Sequence, residues 1–206
     1  MQLDVKECLR YLGADETLRP QVEAAAGRLS AALAPRWTYR VLPWPLQELD
    51  LPGETARTML SQCRQVCVLV CTLGAQFDAM LRAEEARGMD RAVIWNACGS
   101  AWVEAGCDEA QREIAARFPQ LYLTDRFSPG YGDLPLSVQP ALCALTDAQR
   151  RLGVTVTPSH LLNPVKTVTA LIGLSDSPQR ARIRGCAYCA MRDTCSIRKG
   201  GKRCAL

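Results

Sequence analysis

The chain has 206 residues, of which 48% are hydrophobic and 22% charged. That suits one globular domain with a small appendage, long enough to bury a sizeable core. It argues against a membrane-spanning chain, because no apolar run approaches the ~20 residues such a helix needs. The opening MQLDVKECLRYLG lacks the basic-then-apolar layout of a secretory signal, so the expectation is a soluble cytoplasmic protein. Eleven cysteines fit a reducing compartment, where thiols serve as small hydrophobes or metal ligands. The formal charge of +4 is unevenly placed. From Arg180 onward eight Lys and Arg face one acidic residue, Asp193, whereas the preceding 179 residues sum to −3. The body shows no basic stripe, which ranks nucleic acid low as a partner.

In chain order, Val5–Leu12 reads as a short helix ended by Gly13. A longer helix over 16–33 carries Val22, Ala25, Ala26, Leu29, Ala32 and Leu33 as an apolar stripe and stops at Pro35. Residues 36–42 alternate as a strand, Pro43-Trp44-Pro45 enforces extended backbone, and 55–63 forms a short helix. The unbroken apolar run 66–71 marks a buried strand, with Cys67 and Cys71 packed as hydrophobes. Thr72-Leu73-Gly74 connects it to a helix over 75–87. That glycine is a weak anion-site signal, and a plain connection is the reading preferred.

Gly88-Met89-Asp90 breaks the chain before a long helix over 91–118. Val93, Ala97, Ala101 and Glu104 recur at helical spacing, so Glu104 extends a mostly apolar face. A carboxylate there is either a solvated edge position or a hydrogen-bond acceptor for the cationic or hydroxyl end of a ligand. Gly99 and Gly106 weaken the helix and imply close packing or ligand approach. A strand over 121–124 then enters Arg126-Phe127-Ser128-Pro129-Gly130-Tyr131-Gly132-Asp133. Such a turn presents a guanidinium fork, an aromatic ring and unhindered backbone to one small ligand, or is simply a surface turn with a solvated arginine. Residues 136–152 read as a helix interrupted near Pro140 or Thr146 and capped by Gly153. Strands over 154–162 and 165–174 follow, joined at Asn163-Pro164. His160, the only histidine, sits in a strand-like context without a second ligand and reads as structural. The pattern is α+β with a mostly antiparallel sheet.

Ser175-Asp176-Ser177-Pro178 marks a boundary between a body, 1–176, and a basic tail, 177–206. The tail holds Cys186, Cys189, Cys195 and Cys204, four thiols spaced to enclose one metal centre. Twenty residues with so few apolar side chains need a metal to fold. An iron–sulfur cluster is favoured, with zinc as the alternative and free thiols as a third possibility.

The series Arg126-x-x-x-Gly130-Tyr131, Asp133-Leu134-Pro135-Leu136, Gln139, Leu152-Gly153-Val154, Thr157 and 163–170 resembles the reactivation domain of cobalamin-dependent methionine synthase. Upstream, Trp102-Val103-Glu104-Ala105 matches the spacing of that family's ligand-binding glutamate. The resemblance covers residues 60–176 well and the first 60 loosely. It implies a twisted antiparallel sheet packed with helices, and S-adenosylmethionine as ligand. Arg126 would clasp the amino-acid carboxylate, Ser128 and Gly130 would join the ligand contacts, Tyr131 would pack on or bond to it, and Glu104 would engage its other end.

It also implies a stand-alone component of methionine synthase activity, in which S-adenosylmethionine methylates cob(II)alamin during reductive rescue. The cobalamin is carried by a partner: a corrinoid protein, or a methionine synthase lacking its own activation domain. Flavodoxin or ferredoxin is the expected class of electron donor. Two other readings stand beside this one: a non-catalytic S-adenosylmethionine-binding accessory, and an iron–sulfur electron carrier. An N-terminal aspartate ligand has no obvious counterpart; Asp4 and Asp15 sit in unconvincing contexts.

Overall fold

The structure is a computed structural model that describes residues 1–46, 49–178 and Thr194. The cysteine quartet of the tail lies outside these residues. The helices are α1 (Val5–Leu12), α2 (Arg19–Ala32), α3 (Glu54–Leu60), α4 (Ala75–Glu85), α5 (Met89–Arg117), α6 (Gln139–Leu145) and α7 (Ala148–Leu152). The strands are β1 (Arg36–Pro43), β2 (Gln65–Thr72), β3 (Tyr122–Leu123), β4 (Thr155–Val156), β5 (Leu162–Asn163) and β6 (Thr167–Ser175). Strands β1, β2, β6 and β3 lie side by side in that order, every pairing antiparallel; β4 and β5 make a separate small hairpin. The α+β expectation holds.

Strand β2 shows why residues 66–71 are all apolar. Its side chains alternate between the two faces of the sheet. Cys67, Leu69 and Cys71 face a core built with Leu9, Leu29, Trp95, Cys98 and Cys107 from α1, α2 and α5. Val66 and Val68 face a second core with Leu60, Phe127, Leu134 and Leu142. Both faces are covered, so Val66 to Cys71 carries no polar side chain, and Gln65 and Thr72 stand at the strand's ends. Burial pushes the Cys67 thiol up to about 12, which makes it an inert packing group.

The long helix α5 makes two close approaches at glycines, Gly99 against α4 and Gly106 against Pro35 and Cys71 of β2. A Cβ on Gly99 would stand 2.3 Å from Phe77 Cζ, and one on Gly106 would stand 2.4 Å from Pro35 Cβ. Both glycines therefore serve helix packing, not ligand approach. Helix α1 is capped at both ends: Asp4 accepts from Lys6 N at 2.8 Å, and Gly13 turns left-handed at φ 67°. Its buried Cys8 and Leu9 seat it on α5.

Two expectations need correction. The helix over 136–152 is really a 3-10 turn at Leu136–Val138 followed by α6 and α7. Pro140 sits in the first turn of α6, where its missing N–H costs nothing, and the break comes at Thr146 and the left-handed Asp147 (φ 54°). The strand over 154–162 is not continuous either. It folds into the β4–β5 hairpin through a turn closed by His160 N donating to Thr157 O at 2.9 Å. His160 therefore lies in a tight turn at φ 62°, not in a strand.

Candidate functional site

The segment 122–127 runs antiparallel along the outer edge of β6. Thr124 N donates to Gly173 O at 2.9 Å, and Phe127 pairs with Leu171 through both backbone groups at 2.9 and 2.8 Å. Phe127 is driven into the second core, while Arg126 reaches helix α5. The chain then turns. Tyr131 N donates to Ser128 O at 3.1 Å, and Gly130, at φ 94°, donates to Leu134 O at 2.7 Å. That φ is open to glycine and strained for other residues. Beyond the turn Asp133 accepts from the amides of Glu54 and Thr55, with the Glu54 bond at 2.6 Å. It thereby satisfies the first turn of α3 and fixes the far end of the loop. Thr55 and the Glu54 amide hold the Asp133 carboxyl below its usual range.

Arg126 is the best-held side chain in the region. Its Nη2 donates to Glu104 Oε2 at 3.0 Å; its Nη1 donates to Asp108 Oδ1 at 2.6 Å and to Gln111 Oε1 at 3.0 Å. The arginine side chain is only 13% exposed. Burial opposes its charge, but the Cys107 sulfur, Asp108 and Glu104 outweigh that and push its pKa above the ordinary value. The three acceptors stand four and three residues apart on α5, so one face of one helix supplies all of them. Glu104, at 36% side-chain exposure, is an ion-paired edge residue facing a cavity, between the two alternatives posed for it.

Two hollows flank this arrangement. One, of about 390 Å³, is lined by Met1, Asp4, Glu7, Ala101, Glu104 and Asp108, among others. The other, of about 540 Å³, is lined by Gln111, Leu123, Asp125 and Arg126 and shares Asp108 and Arg112 with the first. The first hollow presents four carboxylates beside Arg112; Glu7 is paired with Arg10, and Glu104 and Asp108 with Arg126. The Tyr11 phenol stands close by. Burial raises its pKa, and the nearby Glu104 carboxylate and Tyr131 phenol raise it further. Tyr131 itself is 58% exposed at the surface.

Arg126 and Glu104 are thus brought together, whereas Ser128, Gly130 and Tyr131 line neither hollow: the first two shape the turn that follows Arg126, and Tyr131 is exposed. Sequence reasoning missed Asp108, Gln111 and Glu7, although Asp108 and Gln111 follow Glu104 at helical spacing. It set Asp4 aside, yet Asp4 lines the same hollow as Glu104 while capping α1. Gly74, the weak anion-site candidate, spends its amide on Thr72 Oγ1 at 3.0 Å, as a plain connection does. No cluster of metal-ligating side chains occurs among the described residues. No helix there is long and apolar enough to cross a membrane.

Neither a protein-family model nor a curated protein matches the sequence. Among solved structures the chain is similar to the crystal structure of the MetH reactivation domain bound to AdoHcy. Sequence identity is 14%, the match covers 91% of this chain and 75% of that one, and the TM-score is 0.60. The chain has the fold of that reactivation domain. The likeness covers a larger share of the chain than residues 60–176, where the sequence resemblance was read. At this identity it is a likeness of architecture; the ligand belongs to the neighbour.

Proposed function

We propose that the chain binds S-adenosylmethionine in the hollows beside Arg126 and serves as an activator of a cobalamin-dependent partner. The observation that carries this is the meeting of Arg126 and Glu104 at 3.0 Å beside an acid-lined cavity. A zwitterionic amino-acid head offers a carboxylate to the first residue and an ammonium to the second. The neighbour's bound AdoHcy, which has the same head, makes the reading coherent with the fold.

In this reading Arg126 holds the carboxylate. Glu104, with Asp4 across the hollow, holds the cationic end, which gives the N-terminal helix the role that the sequence left unassigned. The Gly130 turn supplies backbone close to the ligand, and Tyr11 and Tyr131 flank the mouth. No side chain acts as a general base: the contribution is positioning of a methyl donor. Cobalamin, carried by the partner methionine synthase or other corrinoid protein, supplies the methyl-accepting cobalt, and an external donor such as flavodoxin or ferredoxin supplies the electron. The Cys186, Cys189, Cys195 and Cys204 set is proposed to hold an iron–sulfur cluster or zinc, and no step is routed through it.

The test is calorimetric titration of the full chain with S-adenosylmethionine and S-adenosylhomocysteine, followed by methylation of a cob(II)alamin-bearing partner under reducing conditions. Binding with rescue supports the activator. Binding without rescue leaves a non-catalytic accessory, and no binding removes the reading.

A further inference from the structure

The three acceptors around Arg126 are not equivalent. Gln111 is neutral. Glu104 faces the acidic hollow where a ligand's cationic end would lie. Asp108 makes the shortest contact, 2.6 Å, yet its side chain is 62% exposed, and it lines both hollows. We propose that Asp108 is a displaceable latch: it occupies the Nη1 position of Arg126 that a ligand carboxylate takes, and it swings away as that carboxylate arrives. The proposal rests on the reading of Arg126 as the carboxylate anchor.

Charge makes a displacement necessary. One guanidinium already faces two carboxylates, Glu104 and Asp108. A third cannot join at hydrogen-bond distance without like-charge repulsion that outweighs its gain. One of the three must leave, and departure is easiest for the group that returns to water. Asp108 is that group, because its exposed carboxylate regains hydration on release.

It also has a place to land. Arg112 lies one turn further along α5, and its Nε already donates to the Asp108 carbonyl at 3.4 Å. The present partner of Arg112 is Glu109 at 2.8 Å, in a pair 67% and 37% exposed. Exposed pairs of this kind are worth about 0.2–1 kcal/mol, so exchanging one for another is easy. An acidic residue four positions before a basic one is the favourable order on a helix. The latch therefore has two positions, on Arg126 and on Arg112. The closed one keeps a buried guanidinium paired, and the open one exposes it to ligand.

The experiment is calorimetric titration of the full-length chain with S-adenosylhomocysteine, using the unmodified protein, Asp108→Asn, Asp108→Ala and Arg126→Gln, with thermal melts to verify folding. Removing a competing charge predicts tighter binding in both Asp108 variants, by about three- to fivefold. A residue that merely supports Arg126 predicts the opposite sign. As a second readout, 5′-methylthioadenosine lacks the amino-acid head, so any affinity it has is the same in Asp108→Ala and unmodified protein. Unchanged or weaker binding of S-adenosylhomocysteine by the Asp108 variants, with Arg126→Gln impaired, overturns the latch alone. Undiminished binding by Arg126→Gln, or none by the unmodified chain, overturns the anchor and the latch with it.

Discussion

Arg126→Ala tests the site most directly, and the structure sets two magnitudes for it. The first concerns stability. The substitution removes the common partner of Glu104, Asp108 and Gln111 and leaves two carboxylates facing each other across one turn of α5. Breaking a fully buried ion pair costs about 3–5 kcal/mol. Here the carboxylates are 36% and 62% exposed and rehydrate, so the loss is discounted to about 1–2 kcal/mol. For a body of this size that lowers Tm by about 2–8 °C, within reach of a thermal melt. The second magnitude concerns binding. A guanidinium–carboxylate contact contributes about 1.5–3 kcal/mol, a factor of roughly ten to two hundred in Kd. Calorimetry with S-adenosylhomocysteine at a temperature well below Tm separates the two effects. Arg126→Lys keeps the charge but loses the fork, and should recover stability better than affinity. An affinity within threefold of wild type for Arg126→Ala, in a protein that melts cooperatively, would refute the carboxylate-anchor argument.

Further outcomes follow from other parts of the chain. Glu84, only 5% exposed, is bonded by Arg28, by Arg87 at 2.6 Å and by Arg91 at 2.9 Å, tying α2 to α4 and α5. The three arginines are about half exposed and rehydrate, so Glu84→Gln should cost about 1–2 kcal/mol, read as a fall in denaturant midpoint at unchanged slope. Burial pushes the Glu84 carboxyl up, but the hydrogen bonds from Arg91, Arg28 and Arg87 outweigh this and hold it below its usual range. A depressed carboxyl stabilises the fold above its unfolded pKa of about 4.3, and that stabilisation disappears as pH falls through the folded value. Melting temperature should drop below about pH 4, and the drop should be shallower in Glu84→Gln. Gly99→Ala and Gly27→Ala should have opposite signs: the first overpacks against buried Phe77 and loses about 1–2 kcal/mol, while the second meets nothing within 4 Å on α2 and gains up to about 1 kcal/mol. Anaerobically purified protein should be brown with about four irons per chain if the tail holds a cubane cluster, colourless with stoichiometric zinc if it holds zinc, and free of both metals if the thiols are unligated.

Much of this fold could be read from the sequence because most of its elements obey local rules. The bounds of α1 follow from an Asp cap and a Gly stop, and the two-sided burial of β2 from its unbroken apolar run. Reading failed where local pattern and tertiary demand diverge. Val154 and Val156 with Leu162 look like one strand, but Pro158-Ser159-His160 between them makes a turn, and the β-like flanks hid that signal. The site was half legible for a similar reason. Arg126, Gly130 and Tyr131 fall within six residues, so a short pattern exposes them. Asp4, Glu7 and Tyr11 belong to a helix about a hundred residues upstream of Glu104, and only the packing of α1 on α5 places them near it. Asp4 is further disguised by its service as a helix cap.

That packing explains why the site is assembled from three distant segments. The zwitterionic, sulfonium-bearing ligand proposed for it would need a fixed cation, fixed anions and a wall near the reacting methyl, and no single loop can hold all three rigidly. Helix α5 solves part of the problem by supplying every acceptor around Arg126 from one face. The edge pairing of 122–127 with β6 fixes the height of the arginine over that face. Helix α1 closes the acidic end, and buried Cys8 and Leu9 pin it there. The consequence concerns α1, which is short enough to depend on packing for its helicity. If the site works as proposed, Leu9→Ala should disturb ligand affinity more than its stability cost alone explains, because it loosens Asp4 and Glu7 without touching Arg126. The same substitution leaving affinity intact would mean that α1 is a buttress and that the cationic end of the ligand rests on Glu104 alone.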